Sequence, residues 1–340
     1  MRLEGWPIQP ESVAVILQES WAPATDALPM TDKDKESGQL QMVTTNEENS
    51  SIDQSEHLFF RWLGVGGIQL RWRGQPLLID PFLTRPSLWQ MLLKPLETDV
   101  SLVRREIAEA SAILITHAHY DHLMDTPEIV RQTNASVYGS ENVIKLLRAA
   151  GVPQENCYLI QSGDRLNVGA FQIEVMEGKH LPLPFFSPTQ LPATIPPPRR
   201  VWDYQMDRCF SFFLSNTTPT ILIWHSVEAQ GAVPAQILIV DSEIPFSTFE
   251  QLVRRVKPGW VIPIHWDDFF LPLSAPLKPF FRPLEKLTLR LGRIELVKFV
   301  QALQSYLPGG KVYLPERLKE IRVTQLDSSE GIALRLRRSQ

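Results

Sequence analysis

The sequence predicts an α/β protein built of sheet layers with helices on their outer faces. Three observations carry that expectation. Short strand-like runs recur from Leu58 to the 260s, amphipathic segments at helical spacing sit between them, and "SAILITHAH" (111–119) is a fully apolar strand closed by histidines.

Taken in order, "LFFRWLGVGGIQLRWRG" alternates apolar and polar residues in two halves broken at Gly64, Gly66 and Gly67. With "QPLLIDPF" it reads as consecutive strands. "TPEIVRQTN" reads as a helix with Thr126 as N-cap, Pro127 at the first position and Glu128 in the first turn. "SENVIKLLRAAGV" is a second helix, capped by Ser140. The strands "CYLIQ", "RLNVG", "AFQIEVME", "CFSFFLS", "TILIWHS" and "AQILIVD" follow, then a helix in "STFEQLVRRVK", a strand in "WVIPIHW" and a late amphipathic helix in "GRIELVKFVQALQSYL". Residues 181–202, "LPLPFFSPTQLPATIPPPRRVW", hold seven prolines and fit neither pattern. A semi-rigid wall beside a site is expected there.

Composition sets the class. The 340 residues are 44% hydrophobic and 21% charged, ordinary for a globular protein. Cys157 and Cys209 are too few for a disulfide framework or a thiolate zinc site. No apolar run approaches a membrane span, and "MRLEGWPIQPESVAVILQES" does not read as a secretory signal, so the expected location is the cytoplasm. Residues 31–57 hold seven acids against two lysines and are expected to be disordered, within an N-terminal extension 1–57. The main domain is expected over 58–325, with a tail at 326–340. Twelve basic side chains in 279–340 are interleaved with six acids and with leucines. They read as solvated faces, with no clear nucleic-acid signal. The oligomeric state is not legible.

The chemistry is concentrated in "THAHYDHLMD". Three of seven histidines fall within six positions, as His117, His119 and His122, together with Asp121. Crowded imidazoles repel one another when protonated, whereas a metal ion takes them neutral. On an extended segment 117, 119 and 121 project to one side, and a turn into the next helix swings His122 away. Ligands leaving in two directions suit two adjacent ions. Imidazole and carboxylate without thiolate favour Zn²⁺, with Mn²⁺ or Fe²⁺ as alternatives.

H-x-H-x-D-H at the end of an apolar strand resembles the hallmark of the metallo-β-lactamase superfamily, and the resemblance extends from about Phe59 to the 320s. Asp80 in "LLIDPF", His180 in "VMEGKH" and His265 in "VIPIHWDDF" match its other motifs in order. The resemblance implies a four-layered αβ/βα sandwich with metals at one edge of the sheets. It implies His117, His119 and His180 as ligands of one ion, and Asp121, His122 and His265 of the second. Asp80 would orient a ligand. "GVGGIQLRWRGQPLLIDPF" and "PIHWDDF" look most like the branch holding L-ascorbate-6-phosphate lactonase and the N-acylphosphatidylethanolamine phospholipase D. The resemblance also implies a bridging aspartate after a strand, and here "TILIWHSVE" places His225 and Ser226 where glycine and aspartate would stand. Three outcomes follow: a weak second ion, His225 turning inward as a ligand, or a carboxylate from elsewhere such as Asp241.

The expected function is a metal-dependent hydrolase using a metal-bound hydroxide on an ester, lactone or phosphoester of a small or lipid-like substrate. Asp121 would position the nucleophile or shuttle its proton. The alternatives are a phosphodiesterase or nuclease, and a non-catalytic metal-binding scaffold. Lys179, Arg199 and Arg200 read as exposed charge, or as a clamp for a phosphate or carboxylate. Asp267 and Asp268 read as capping or solvated residues. "LPLPFF" and "FFLPLSAPLKPFFRPL" read as core and turn, or as a hydrophobic mouth for an acyl substrate.

Overall fold

The computed structural model describes residues 57–182, 188–279, 296–307 and 309–326. The arm at 31–57, save His57, and the tail beyond Leu326 lie outside the described residues, as do parts of both proposed hydrophobic-mouth segments.

Strands β1 (Phe59–Gly64), β2 (Gly67–Trp72) and β3 (Gln75–Ile79) form an antiparallel meander. Their alternation turns Phe60, Trp62, Ile68, Leu70, Leu77 and Ile79 into the space between two sheets, and Leu63 and Leu78 to the opposite face. Two helices follow that sequence patterning did not reveal. They are α1 (Leu88–Leu93), closed by a Ser87–Gln90 capping box, and α2 (Val100–Glu106), capped by Asp99. They are short, and α1 buries no residue, so neither carries a readable apolar stripe.

Strand β4 (Ala112–Leu114) is shorter than "SAILITHAH" suggests. Beyond it the chain leaves its sheet: the Thr116 carbonyl accepts a hydrogen bond from Phe210 N (2.8 Å), on the opposite sheet. Helices α3 (Tyr120–Leu123) and α4 (Thr126–Thr133), strand β5 (Ser136–Gly139), helix α5 (Glu141–Ala149) and strand β6 (Cys157–Leu159) complete this half. Ser140 is the N-cap residue of α5, as expected. At α4 the N-cap position belongs to Asp125 instead of Thr126, and the Asp125 carboxylate serves the loop after β3, accepting from Leu83 N and Thr84 N at 2.7 Å.

The second half holds β7 (Arg165–Val168), β8 (Phe171–Gly178), β9 (Cys209–Leu214), β10 (Ile221–Trp224), β11 (Ile237–Asp241), β12 (Trp260–Ile264) and β13 (Lys311–Val312). Helices α6 (Phe246–Val256) and α7 (Leu296–Tyr306) and a last strand, β14 (Glu320–Arg322), complete the described elements. Sheet orders are β14-β1-β2-β3-β4-β5-β6 and β13-β12-β11-β10-β9-β8-β7. In each, one portion is antiparallel and the other, β3 to β6 or β10 to β13, is parallel. The central parallel strands β4, β10 and the Ile237–Val240 stretch of β11 are apolar because both of their faces are covered. In β11, Ile237 and Ile239 face the other sheet, and Leu238 and Val240 face α6 and α7. The layers are thus helix, sheet, sheet, helix, the sandwich expected from the sequence. Among the described residues no helix is long and apolar enough to cross a membrane.

The edge where the parallel strands end is held by a buried ionic knot. Asp267, 1% exposed, accepts from Val65 N (2.8 Å) and lies 2.8 Å from Arg85 Nη2 and 3.5 Å from Arg317 Nη1. It is therefore neither cap nor solvated, contrary to the expectation; the arginines that bury it are far away in sequence. Asp268 does close a local turn, accepting from Phe270 N. Gly64, at φ +100°, lets β1 turn beside Arg85 where any side chain would collide with the guanidinium.

Asp267→Asn removes the charge that offsets two buried arginines while keeping the Val65 bond. We expect it to lower stability by about 3–5 kcal/mol, read as a drop in the urea midpoint.

Candidate metal centre

Every candidate ligand sits at or just beyond a strand end on one edge of the sandwich. His117 and His119 occupy the extended stretch after β4, and Asp121 and His122 the first turn of α3. The extended backbone stops at His119, the N-cap of that helix, so Asp121 is not the third member of an alternating row. Helical geometry turns it instead. His180 follows β8, His225 follows β10, Asp241 ends β11 and His265 follows β12.

Two groups of donors result. Ligand atoms of His117, His119 and His180 lie within 4.8 Å of one another, as do those of Asp121, His122 and His265. A third combination, Asp241, Glu243 and His265, meets the same distance. In the first group His117 Nε2 is 3.1 Å from His119 Nδ1. Nitrogens in a tetrahedral zinc shell stand roughly 3.3 Å apart, given bonds of 2.0–2.1 Å. In the second, Asp121 Oδ2 is 3.6 Å from His122 Nε2 and 3.5 Å from His265 Nε2.

Hydrogen bonds behind the rings fix which nitrogen faces the site. Asp80, fully buried at the end of β3, accepts from Thr116 N (2.8 Å) and from the Thr116 hydroxyl (2.5 Å). A carboxylate only accepts, so the Thr116 proton points at Asp80 and its oxygen is left to receive His117 Nδ1–H, at 3.0 Å. The same Asp80 oxygen stands 2.8 Å from His122 Nδ1. His180 Nδ1 donates to the Leu181 carbonyl at 2.6 Å. His117, His122 and His180 therefore all present Nε2.

Electrostatics divides the two groups. Burial, then the neighbouring imidazoles, push His117 well below the usual histidine range. Burial and His180 lower His119 to about 3. Burial lowers His180 as well, against its Leu181 hydrogen bond. All three are neutral donors near pH 7. In the second group burial opposes charge, but Asp80 and Asp121 raise His122, and Asp241 with Asp121 raises His265 to about 10. The histidines in turn outweigh burial and hold Asp121 and Asp241 below the usual carboxylate range. This group gathers positive charge between carboxylates, a place suited to a cation.

Backbone and packing confirm how tightly the edge is built. Asp80 (φ 45°) and His265 (φ 59°) are left-handed, a strain of about 1–3 kcal/mol each that their surroundings must hold. His265 is clamped by its N–H to Val65 O (2.9 Å) and by Ser242 Oγ donating to its carbonyl (3.0 Å). At Gly66 a Cβ would come within 3.0 Å of the His122 ring and 3.3 Å of His225.

His225 is buried with its ring facing inward. Its Nδ1 is 3.7 Å from Asp241 Oδ2, and its Nε2, 3.9 Å from Asp80 Oδ2, has no hydrogen-bond partner among the described residues. Ser226 turns to its own loop, where Oγ accepts from Lys179 N and Glu228 N. Lys179 is exposed and pairs with Glu228 at 2.6 Å. Arg199 and Arg200 give their backbone N–H groups to Asp203, and the Arg200 guanidinium lies 5.8 Å from the Trp202 ring. Asp241 was only one of three possibilities in the sequence and Glu243 was missed, since no local motif marks them. The proline-rich loop is held by Asn142 of α5, whose side chain bonds Thr189 O, Gln205 O and Leu191 N.

A model of the β-lactamase superfamily domain matches residues 76–194, which contain Asp80, the histidine cluster and His180. A UPF0173 metal-dependent hydrolase from Methylocella silvestris is 29% identical over 123 residues, 35% of this chain and 46% of that protein. Another from Myxococcus xanthus is 24% identical over 218 residues, 63% of this chain and 72% of that one. Several of these matches thus span under half of the relative's length. Among solved structures, CmlA, a diiron β-hydroxylase from Streptomyces venezuelae, shares the fold, with a TM-score of 0.51 at 13% identity over 79% of this chain and 54% of that one. Sheet order, strand-end histidines and sequence similarity agree on one class: residues 76–194 are similar to the β-lactamase superfamily domain and lie within a four-layered α/β sandwich.

Asp80→Ala removes the carboxylate that faces His122 Nδ1 directly and orients His117 through the Thr116 hydroxyl. It should weaken metal binding at both groups by about 10–100-fold, whereas Thr116→Val should affect only the His117 group. Competition titration against a chromogenic chelator separates the two.

Proposed function

We propose that this protein is a metal-dependent hydrolase acting on an ester, lactone or phosphoester bond of a small or lipid-like substrate. The observation that carries the reading is the convergence of His117, His119 and His180 with Asp121, His122 and His265 at one sheet edge. The donor set fits a divalent ion: oriented imidazoles and an ionised carboxylate, with Asp121 Oδ2 3.5 Å from His265 Nε2 and 3.6 Å from His122 Nε2. The names of the sequence relatives point the same way. Zn²⁺ suits nitrogen-rich donors best, with Mn²⁺ or Fe²⁺ as the other candidates.

When bound, such an ion acidifies water and polarises the oxygen of the bond to be broken. The chain's own residues do the rest. Asp80 fixes the ring orientations of His117 and His122. Asp121, ionised, accepts a hydrogen bond from the attacking water and so aims its lone pair at the substrate. The loop tied to Asn142 forms a wall on which a substrate's non-reacting portion can rest, and Phe269, its ring 6.2 Å from that of His265, gives the edge an apolar element.

Purified protein assayed on activated esters, lactones and phosphodiesters should hydrolyse at least one class. Activity should vanish with a chelator, return with Zn²⁺ and be lost in His117→Ala. Turnover that survives complete metal removal would sink the proposal.

A further inference from the structure

The proposed chemistry makes no use of the turn after β11, Asp241–Ser242–Glu243, yet that turn holds His265 in two ways. Strand register brings it there. β11 runs parallel to β12 with Asp241 opposite Ile264, so His265 lies one step beyond at the same sheet edge. Ser242 N donates to the Ile264 carbonyl and Ser242 Oγ to the His265 carbonyl, both at 3.0 Å. With His265 N–H bonded to Val65 O at 2.9 Å, the main chain of this left-handed residue is fixed. The ring is left to Asp241.

Two carboxylates take different edges of that ring. Asp121 Oδ2 is 3.5 Å from Nε2, whereas Asp241 Oδ1 is 4.0 Å from Nδ1. The donor groups divide in the same way: His265 joins Asp121 and His122 in one, Asp241 and Glu243 in the other. Asp241 therefore lies off the side of the ring that faces the second ion's other donors. Its carboxylate is held in place, since Glu243 N–H donates to Oδ1 at 2.8 Å and Oδ2 stands 3.7 Å from His225 Nδ1. At 4.0 Å the contact with His265 exceeds a direct hydrogen bond, so it acts as the attraction of a negative charge for the N–H edge of the ring.

That attraction decides what the backbone bonds leave open. A half-turn of the ring would set Cδ2 against Asp241 and carry Nε2 away from Asp121. A neutral imidazole has a single N–H. Placed on Nε2, it would aim a donor at the ion and leave the Nδ1 lone pair facing a carboxylate. Placed on Nδ1, it faces Asp241 and frees the Nε2 lone pair.

We propose that Asp241 is the positioning residue of His265: it keeps the proton on Nδ1 and the Nε2 lone pair beside Asp121, and is not itself a metal ligand. The assignment rests on the metal-dependent reading above.

The test uses full-length protein labelled with ¹⁵N-histidine, stripped of metal and reloaded with Zn²⁺. NMR reads the ring nitrogens, and chelator competition reads affinity. Wild-type His265 should show a metal-bound Nε2 and an Nδ1–H that exchanges slowly with water. Asp241→Ala should hold as many ions at saturating Zn²⁺, bind the weaker one about 10–100-fold less tightly and lose the slow exchange. Asp241→Asn, which keeps an oxygen towards Nδ1 without the charge, should fall between the two. Wild-type His265 bound through Nδ1, or unchanged affinity and His265 signals in Asp241→Ala, would overturn this assignment alone. Loss of a whole ion in Asp241→Ala at saturating Zn²⁺ would make Asp241 a ligand and overturn it too. No ion in wild type would overturn the functional reading with it. If Asp241→Ala does not fold, Asp241→Asn decides: weaker binding with Nε2 still bound supports the assignment, and wild-type behaviour rejects it.

Discussion

One buried carboxylate organises this edge of the protein. Asp80 ends the last antiparallel strand of the first sheet in a left-handed conformation, and from there it reaches the segment after the next strand, a helix and the far sheet. Its two bonds to Thr116 fix the path of the chain into the histidine run. The same carboxylate orients the His117 ring through the Thr116 hydroxyl and faces His122 Nδ1 directly. A buried charge is costly unless its partners are complete. Here the partners are the parts of the site, so folding the edge and arranging the donors become one event.

The two donor groups differ in their electrostatic preparation. His117, His119 and His180 are kept neutral by burial and by one another, so an ion at the proposed site would meet little proton competition. The second group sits among carboxylates that favour protonated histidines, and an ion there must displace that charge. The first group is the easier to fill and the second the more sensitive to its anions. That asymmetry arises from which side chains lie near, since all six donors share the same sheet edge.

Much of this was legible in the sequence. Long strands and amphipathic helices announce themselves through periodicity, and "HAHYDH" is dense enough in rare residues to mark a site unaided. What escaped was local or long-range. Helices α1 and α2 are too short to show an apolar stripe. Strand β5 is four residues long. Asp267 looked solvent-facing because its two arginines come from positions 85 and 317. The place of Asp241 beside His225 and His265 depends on strand order and register, which no local window contains. His225 could be placed only once the packing of Gly66 and His122 against it was known.

The anchoring of the proline-rich loop has a consequence of its own. Asn142 grips Thr189, Gln205 and Leu191 through main-chain atoms alone, and Lys145 Nζ donates to the Leu191 carbonyl. Main-chain atoms are the same whatever side chain they carry. The loop's fastening is thus largely independent of its own side-chain spelling. Residues on its exposed face can therefore change in size and polarity while the tether stays put.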